Sequence, residues 1–311
     1  MARLHVSPEI VLRCDRLRAL LAPAAGGRIT ALRSTGLRGG SDIDWLVPLA
    51  DAVRADGFES TAWPKAGCYP LVPFSNRIRA GRFSWNGRQV RLPIHPGEAH
   101  ALHGGSQQMP WQLIQHEASS ATMEYRHAAG AAGWPWAFRA RQHIALDENG
   151  MTLGLRITND SGETMPCGCG FHPYVPDRFG HRLRFDARTV WPPDAEFLAT
   201  APRPPEAHDD YAIPRALHNG SLTQYYSGCS GPVELEAADG HRIRIETDEV
   251  LSHRVLHRPS PEAGSYFCVE PVSHVADAAN LMQQGRTDTG WHLLAAGEIW
   301  ECRLRLRIEP A

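Results

Sequence analysis

The sequence predicts an all-β protein built from antiparallel sheets. Several segments alternate apolar and polar residues with a period of two, the pattern of strands that bury one face. No long window shows the spacing of an amphipathic helix without an interrupting proline or glycine, and 24 prolines and 28 glycines are spread over the 311 residues. Many strands joined by turns favour sheets that pack face to face.

Three segments predict hairpins, and a fourth predicts a final strand. Alternation on either side of Asn86-Gly87 predicts a hairpin over residues 83–92. Alternation around the turns at 147–150 and 239–240 predicts hairpins over 138–157 and 233–245. Residues 302–308 alternate apolar residues with arginines, so this strand has one apolar and one charged face.

The rest of the chain carries weaker signals. A turn of helix is expected after Glu270, with Asp277 as its cap. Residues 201–215 are interpreted as a long loop and not as a linker, because strand patterning resumes beyond them without a change of composition. Since there is also no internal repeat, a single domain over residues 1–311 is favoured over two domains.

Composition and charge restrict the partners. Lys plus Arg number 32 and Asp plus Glu 34, so the net charge of -2 gives no general attraction for nucleic acid or an anionic membrane. No apolar run approaches the roughly 20 residues of a membrane span, and the first ten residues lack the apolar segment of a signal peptide. Seven scattered cysteines fit reduced thiols better than a disulfide framework. We therefore expect a cytoplasmic protein with a small, neutral partner.

Four segments hold polar residues that a plain β-sandwich does not require. Asn76 and Arg77 lie in PFSNRI, where an amide and a forked guanidinium match the vicinal hydroxyls of a sugar. His103 precedes two glycines in ALHGG, which let the backbone approach a ligand. His172 lies among glycines and aromatic residues in GCGFHPY, and Glu270 closes a strand-like apolar run before a proline.

Glu270 and His172 are the candidates for proton transfer. A carboxylate where a strand runs out into a turn is held by the sheet yet faces a loop-lined cavity, and an imidazole exchanges protons near neutral pH. Taken alone, such a glutamate is more often a solvated strand end, and such a histidine is more often satisfied within the core. The functional interpretation therefore requires that the two side chains converge.

Other chemistries lack their usual signatures. Two histidine pairs have ligand-like spacing, His100 with His103 and His253 with His257, but neither lies in a helical pattern or beside an HExxH run. The PCGCG segment lacks the CxxC spacing of a structural zinc site. GxGxxG, P-loop and GxSxG motifs are also missing from the sequence. We expect no metal, no nucleotide cofactor and no serine nucleophile.

Taken in order, five segments strongly resemble the aldose 1-epimerase (galactose mutarotase) family. They are PFSNRIRAGRFSWNG, ALHGG, GWPW, MPCGCGFHPYV and FCVEPVSHVADAAN. The resemblance covers most of the chain, from about residue 26 to the final strand. It implies an antiparallel β-supersandwich (galactose mutarotase-like) with an open cleft for an aldose, and it implies no cofactor.

The same resemblance implies roles for individual residues. Glu270 would be the general base that takes the proton of the anomeric hydroxyl, and His172 would be the general acid that protonates the ring oxygen. Asn76, Arg77 and His103 would hold sugar oxygens and stabilise charge as the ring opens. The chemistry of the residues agrees, because opening a hemiacetal needs a base at one oxygen and an acid at its neighbour.

One segment departs from the family pattern. Where members commonly carry an Asp that contacts sugar hydroxyls, this chain has Leu222-Thr223-Gln224-Tyr225-Tyr226. Thr223 supplies no charged acceptor and Gln224 replaces one only in part. The acid and the base are kept, so epimerisation is still expected. The change bears on which sugar is bound.

The sequence thus predicts an aldose 1-epimerase that interconverts the α and β anomers of a free aldose. Two alternatives stay open. One is a non-catalytic sugar-binding or regulatory protein on the same fold, and the other is a sugar-phosphate 1-epimerase, for which Arg77 and Arg79 supply few cations. Whether the chain forms a homodimer is also open.

Overall fold

The computed structural model describes residues 2–36, 41–177, 182–217, 220–309 and 311 and confirms the all-β prediction. All strand pairs in this part of the chain are antiparallel. The strands are β1 (Arg3–Leu4), β2 (Ile10–Cys14), β3 (Leu17–Ala22), β4 (Arg28–Ser34), β5 (Ile43–Asp44), β6 (Phe58–Glu59), β7 (Pro70–Leu71), β8 (Arg77–Ile78), β9 (Arg82–Trp85), β10 (Arg88–Arg91), β11 (Ala101–Leu102), β12 (Gln112–His116), β13 (Ser120–His127), β14 (Phe138–Asp147), β15 (Gly150–Asn159), β16 (Met165–Cys167), β17 (Gly170–Phe171), β18 (Val175–Pro176), β19 (Arg182–Asp186), β20 (Thr189–Trp191), β21 (Arg215–Ala216), β22 (Leu222–Ser227), β23 (Ser230–Glu236), β24 (Arg242–Thr247), β25 (His253–Arg258), β26 (Tyr266–Val272), β27 (His292–Leu294) and β28 (Ile299–Glu309).

Two large sheets dominate the described residues. A nine-stranded sheet has the order β12-β13-β14-β15-β28-β24-β23-β19-β21, and a seven-stranded sheet has the order β20-β22-β25-β26-β17-β7, with β18 also pairing with β26. Strands β2 to β5 form a four-stranded sheet, and the pairs β1-β6, β9-β10, β8-β11 and β16-β27 complete the described architecture.

The nine-stranded sheet contains the strands that were easiest to predict. Its β14 and β15 form the hairpin expected at 138–157, with Leu146 opposite Met151. The hairpin at 233–245 is β23-β24, and the final strand is β28. The remaining predicted hairpin, at 83–92, is the separate pair β9-β10. These predictions are confirmed. The strands could be recognised because each one buries one face and exposes the other, which gives the sequence its period of two.

The seven-stranded sheet corrects one expectation. All seven residues of β26 are buried, and the strand continues through Glu270 and Pro271 to Val272, so it does not end at Glu270. Pro271 is opposite Arg254 of β25 and contributes no N–H to the sheet. Glu270 is therefore a buried carboxylate inside a strand, and the solvated strand end that is the common alternative is wrong for this residue.

The two helices lie outside the sheets. Helix α1 (Asp51–Asp56) was not predicted, whereas α2 (Ala278–Gln283) is the helical turn expected after Glu270. Asp277 precedes α2, but its side chain caps no N–H of that helix. Its Oδ1 instead accepts a hydrogen bond of 2.9 Å from the backbone N–H of Arg79, which ties α2 to the segment after β8.

The long loop expected at 201–215 is confirmed for residues 201–214, and Arg215 begins strand β21. An ion pair between Arg203 and Asp209 holds it. The buried apolar side chains of the described residues form one cluster that extends from Leu4 to Ile308; the single domain remains a prediction. Within the described residues, neither helix has the length or the apolar content needed to cross a membrane.

Candidate active site

The seven-stranded sheet brings His172 and Glu270 together. His172 follows β17, and β17 pairs with β26 through Gly170 and Val272. The Nε2 atom of His172 lies 3.4 Å from Oε1 of Glu270, and the two side chains are only 8% and 4% exposed. The convergence that the functional interpretation requires is therefore present, between residues from distant parts of the chain.

Aromatic rings fix the orientation of the imidazole. The His172 ring stacks against Tyr69 at 4.8 Å and against Tyr174 at 4.6 Å between centroids. Its backbone N–H donates to the Tyr69 carbonyl oxygen at 3.0 Å, and the two tyrosine hydroxyls lie 3.3 Å apart. A ring packed against two tyrosines and fixed through its own backbone has little rotational freedom, so Nε2 remains directed at Glu270.

Burial shifts both pKa values toward the uncharged forms. Desolvation is the main reason that the pKa of His172 lies well below its ordinary value, and the nearby His103 and Lys65 lower it further. Desolvation also raises the pKa of Glu270 to about 8, against the opposing effect of Arg77. Their titrating atoms are also only 3.4 Å apart, close enough for the charge of one group to affect the other. Between their pKa values the pair holds one proton, which leaves one group able to donate and the other able to accept.

Glu270 also has a buried oxygen without a hydrogen-bond partner among the described residues. Its buried Oε2 has no hydrogen-bond partner among the described residues, and neither has the buried Nδ1 of His172. Buried polar atoms are nearly always hydrogen-bonded, and an exception marks either strain or a functional role. Because Glu270 lines the cavity described below, its unpaired oxygen marks this carboxylate as a candidate functional group.

Asn76 and His103 join two loops into one wall of the site. The backbone N–H of Asn76 donates to Nδ1 of His103 at 3.0 Å, and the N–H of His103 donates to the carbonyl oxygen of Asn76 at 2.9 Å. Because Nδ1 accepts a hydrogen bond, the proton of the neutral His103 ring is on Nε2. The antiparallel pair β8-β11 places these loops side by side.

Arg77 is held in a fixed orientation. Its guanidinium forms two hydrogen bonds to the Glu98 carboxylate, 2.9 Å from Nε and 2.8 Å from Nη2. Its carbon Cζ lies 4.9 Å from the centroid of the Phe197 ring. A bidentate pair of this kind restricts the arginine side chain and neutralises its charge. Arg79, in contrast, does not line the site and contacts Asp194, Glu196 and Asp277.

His274, of the EPVSH segment, supports the site without entering it. Its Nε2 accepts the backbone N–H of Ser75 at 3.0 Å, and its Nδ1 lies 2.8 Å from the Val275 carbonyl oxygen, to which it donates. A Cβ at Gly168 would lie 2.0 Å from the His274 ring, so only glycine fits there. Three of the sequence segments thus pack against one another around this imidazole.

These side chains open onto a cavity of about 280 Å³, slightly below the usual volume range for small-molecule sites. Thr223 lines it and lies 3.0 Å from Nδ1 of His257 through its Oγ1. Gln224 does not line it, because neighbouring residues of a strand face opposite sides. The described lining is Trp63, Lys65, Asn76, Arg77, Glu98, Leu102, His103, His172, Tyr174, Phe197, Thr223, Val255, His257, Tyr266 and Glu270.

Four residues of this lining had little or no signal in the sequence. Lys65 had one signal, since it is the only lysine of the chain. His257 was considered only as a partner of His253, and that histidine lines a different cavity of about 1130 Å³. Glu98 and Phe197 had no local signal, because their places at the site depend on loop packing.

Cavity size alone does not identify the site. A cavity of about 630 Å³ covers one face of the four-stranded sheet, but its described lining contains no histidine and no glutamate.

One group of side chains has the donor atoms that a metal ion would need. One ligand atom each from His172, Cys268 and Glu270 lie within 4.8 Å of one another at the smaller cavity. In the His100 and His103 pair, both Nδ1 atoms instead accept backbone N–H groups.

Comparisons with known proteins identify the family and the fold. The chain is 30% identical over 263 residues to the uncharacterized protein YphB of Escherichia coli K12, covering 81% of this chain and 87% of the relative. A solved structure from Escherichia coli K12, described as a candidate aldose 1-epimerase, superposes with a TM-score of 0.82 at 26% identity and covers 97% of this chain and 99% of that chain. The galactose mutarotase of Rattus norvegicus is 22% identical over 204 residues, which are 62% of this chain and 59% of the relative. The family model for aldose 1-epimerase matches residues 9–307, and the chain belongs to that family.

Proposed function

We propose that this protein is an aldose 1-epimerase that interconverts the α and β anomers of a free aldose. One observation carries the proposal: Nε2 of His172 and Oε1 of Glu270 lie 3.4 Å apart at a cavity of monosaccharide size. Membership of the aldose 1-epimerase family supports it. So does the galactose mutarotase activity that the name of the rat relative states for that protein.

The reaction needs two proton transfers at neighbouring oxygens. In the assignment proposed here, ionised Glu270 takes the proton of the anomeric hydroxyl while protonated His172 gives a proton to the ring oxygen. The bond between the anomeric carbon and the ring oxygen breaks, and the open-chain aldehyde forms. After rotation about the bond between the first two carbons, the same two groups act in reverse and close the ring on the other face.

The pKa shifts make the uncharged pair the resting form, with the proton on Glu270. Transfer of that proton to His172 gives the charged form that the assignment uses. Both forms contain one acid and one base, so the proton count needed for turnover is the same. Sugar hydroxyls that hydrogen-bond to the carboxylate oppose its desolvation and favour the charged form.

The cavity wall would position the sugar. Asn76, His103 with its Nε2–H, and the clamped Arg77 are proposed to hold ring substituents and the oxygen on which charge develops. Thr223 with His257 would replace the acidic contact that family members commonly carry. We also propose a cytoplasmic location, since all seven thiols are free, as is usual in a reducing compartment.

Polarimetry of a freshly dissolved aldose tests the proposal. The protein should accelerate the approach to anomeric equilibrium, and Glu270→Gln and His172→Ala should each reduce kcat/KM by about 10²–10⁴-fold. Glu236→Gln and His208→Ala are matched controls, because both change exposed side chains and should leave the rate unchanged. Saturable sugar binding without acceleration for any aldose would instead identify a non-catalytic sugar-binding protein.

A further inference from the structure

Lys65 brings an ammonium group to the cavity, where no carboxylate of the described residues forms a salt bridge with it. Its Nζ lies 4.8 Å from the centroid of the Trp63 ring, and its side chain is solvent-accessible at the cavity. Burial lowers the pKa of Lys65, while the nearby Glu98 opposes that shift. The Lys65 charge in turn acts on both His172 and His257. The ammonium has no anion in direct contact within the described residues, and an anionic group of a ligand would fill that place.

The loop that carries Lys65 is held rigidly. Nη1 of the fully buried Arg28 donates to the carbonyl oxygens of Pro64 at 3.2 Å and Ala66 at 2.8 Å, on either side of Lys65. The next residue, Gly67, has φ +68°, and a Cβ there would lie 1.7 Å from the Ile29 carbonyl oxygen. Burying a guanidinium is costly. A buried arginine that binds the two carbonyl oxygens flanking Lys65 therefore indicates that the fold fixes the position of this loop.

The other charged groups of the described lining are already compensated. Arg77 and Glu98 neutralise each other through two hydrogen bonds. Glu270 holds the shared proton of the catalytic pair at neutral pH, and the pKa of His257 lies at about 4, mainly through burial. Lys65 is therefore the one charged side chain of the described lining that no oppositely charged group contacts directly.

From this arrangement we infer that the substrate is an aldose that carries a negatively charged substituent, which Lys65 binds while the anomeric carbon faces Glu270. The inference rests on the proposed function and names its substrate class. The cavity volume of about 280 Å³ favours a compact anion on a single ring over a larger sugar. Either a carboxylate or a phosphate on the sugar would supply the negative charge. The experiment distinguishes between these two groups.

The experiment compares anomer exchange by NMR for three sugars of the same stereochemistry: glucose, glucuronate and glucose 6-phosphate. The kcat/KM value for at least one anionic sugar should exceed that for glucose by about tenfold or more, as expected for a hydrogen bond to a charged group. The measured quantity is this anionic-to-neutral ratio, so a general loss of activity in a variant does not affect the conclusion.

Two further arms assign the effect to Lys65. The ratio should fall to about one in Lys65→Met and be kept in Lys65→Arg. In the unchanged protein, it should also decrease when the salt concentration is raised from about 0.01 M to about 1 M, since salt screens a partly exposed charge. The salt arm needs no variant and stands even if a substitution impairs folding.

The outcomes distinguish this inference from the proposed function. Faster exchange of glucose than of both anionic sugars, or an unchanged ratio in Lys65→Met, would overturn the inference and leave the epimerase proposal standing. No acceleration of any of the three sugars, nor of a wider panel of neutral aldoses, would overturn both. A larger ratio for glucuronate identifies the anion as a carboxylate, and a larger ratio for glucose 6-phosphate identifies it as a phosphate.

Discussion

The nine-stranded and seven-stranded sheets are both antiparallel, but their strands differ in how many faces they bury. In the nine-stranded sheet, β14 and β15 alternate between buried and more exposed positions along most of their length. In the seven-stranded sheet, all seven residues of β26 are buried, including Glu270. One sheet meets solvent on one face, whereas the central strand of the other is covered on both.

This difference separates the determinants of stability from those of catalysis. The buried face of the nine-stranded sheet is apolar, so its contribution to folding comes mainly from area removed from water. The seven-stranded sheet buries polar groups such as Glu270, His172 and His274, and each one needs a specific partner. We therefore expect substitutions in the first sheet to change stability alone, and those around the second to change activity, with or without stability.

The largest expected effect on folding is in the nine-stranded sheet. Leu153 is fully buried in β15, opposite Ile144 and Leu304. Leu153→Ala should lower the free energy of unfolding by about 2–5 kcal/mol, because it removes apolar contacts and leaves a cavity. Denaturant titration measures the loss. Thr152→Ala, at the neighbouring position that faces the other way, is the control and should change it much less.

For Leu153→Ala, the folded fraction should keep the unchanged kcat/KM in the polarimetric assay. A decrease in kcat/KM of the same size as that of a site variant would show that the two sheets are coupled. That result would contradict the separation proposed here.

An intermediate effect, on both properties, is expected at His274. Removal of its ring in His274→Ala leaves the buried N–H of Ser75 without an acceptor, and an unpaired buried donor costs about 1–3 kcal/mol of stability. The turn that carries Asn76 and Arg77 should loosen, so KM should rise. His274→Gln, whose side-chain oxygen can accept the same hydrogen bond, is the conservative variant and should restore part of both losses.

Unchanged kinetics in His274→Ala, together with lower stability, would show that the Ser75 turn does not position the sugar-binding residues. Thermal unfolding and substrate titration on the same preparation distinguish these outcomes.

The smallest effect concerns activity alone and requires no substitution. As pH rises through about 8, the pair of His172 and Glu270 loses its last proton, so no acid remains to protonate the ring oxygen. The kcat/KM value, corrected for the rate without protein, should fall about tenfold per pH unit above this value. An increase through the same range would mean that Glu270 titrates as a base while His172 is already protonated.

Much of the fold could be predicted because half-buried strands show their period in the sequence. Leu153 and its alternate neighbours predicted β15, and Asn86-Gly87 predicted a turn. Strand β26 offered no alternation to mark its end, since it is buried on both faces, and its length was underestimated. Helix α1 has no buried residue, so it lacks the apolar stripe by which amphipathic helices are recognised.

The acid and base candidates could be named from chemistry and family resemblance, but much of their surroundings could not. The orientation of Gln224 depends on the strand register, which places Thr223 at the cavity and Gln224 on the other side. Glu98 reaches Arg77 across 21 positions of sequence through a loop. Such contacts depend on tertiary packing, and no local pattern encodes them.

The reciprocal hydrogen bonds between Asn76 and His103 have a further consequence. Two loops that are linked in both directions can separate only by leaving two buried donors and two buried acceptors unpaired at once. This side of the cavity is consequently preformed, and under the proposed function it would bind only sugars whose shape matches it.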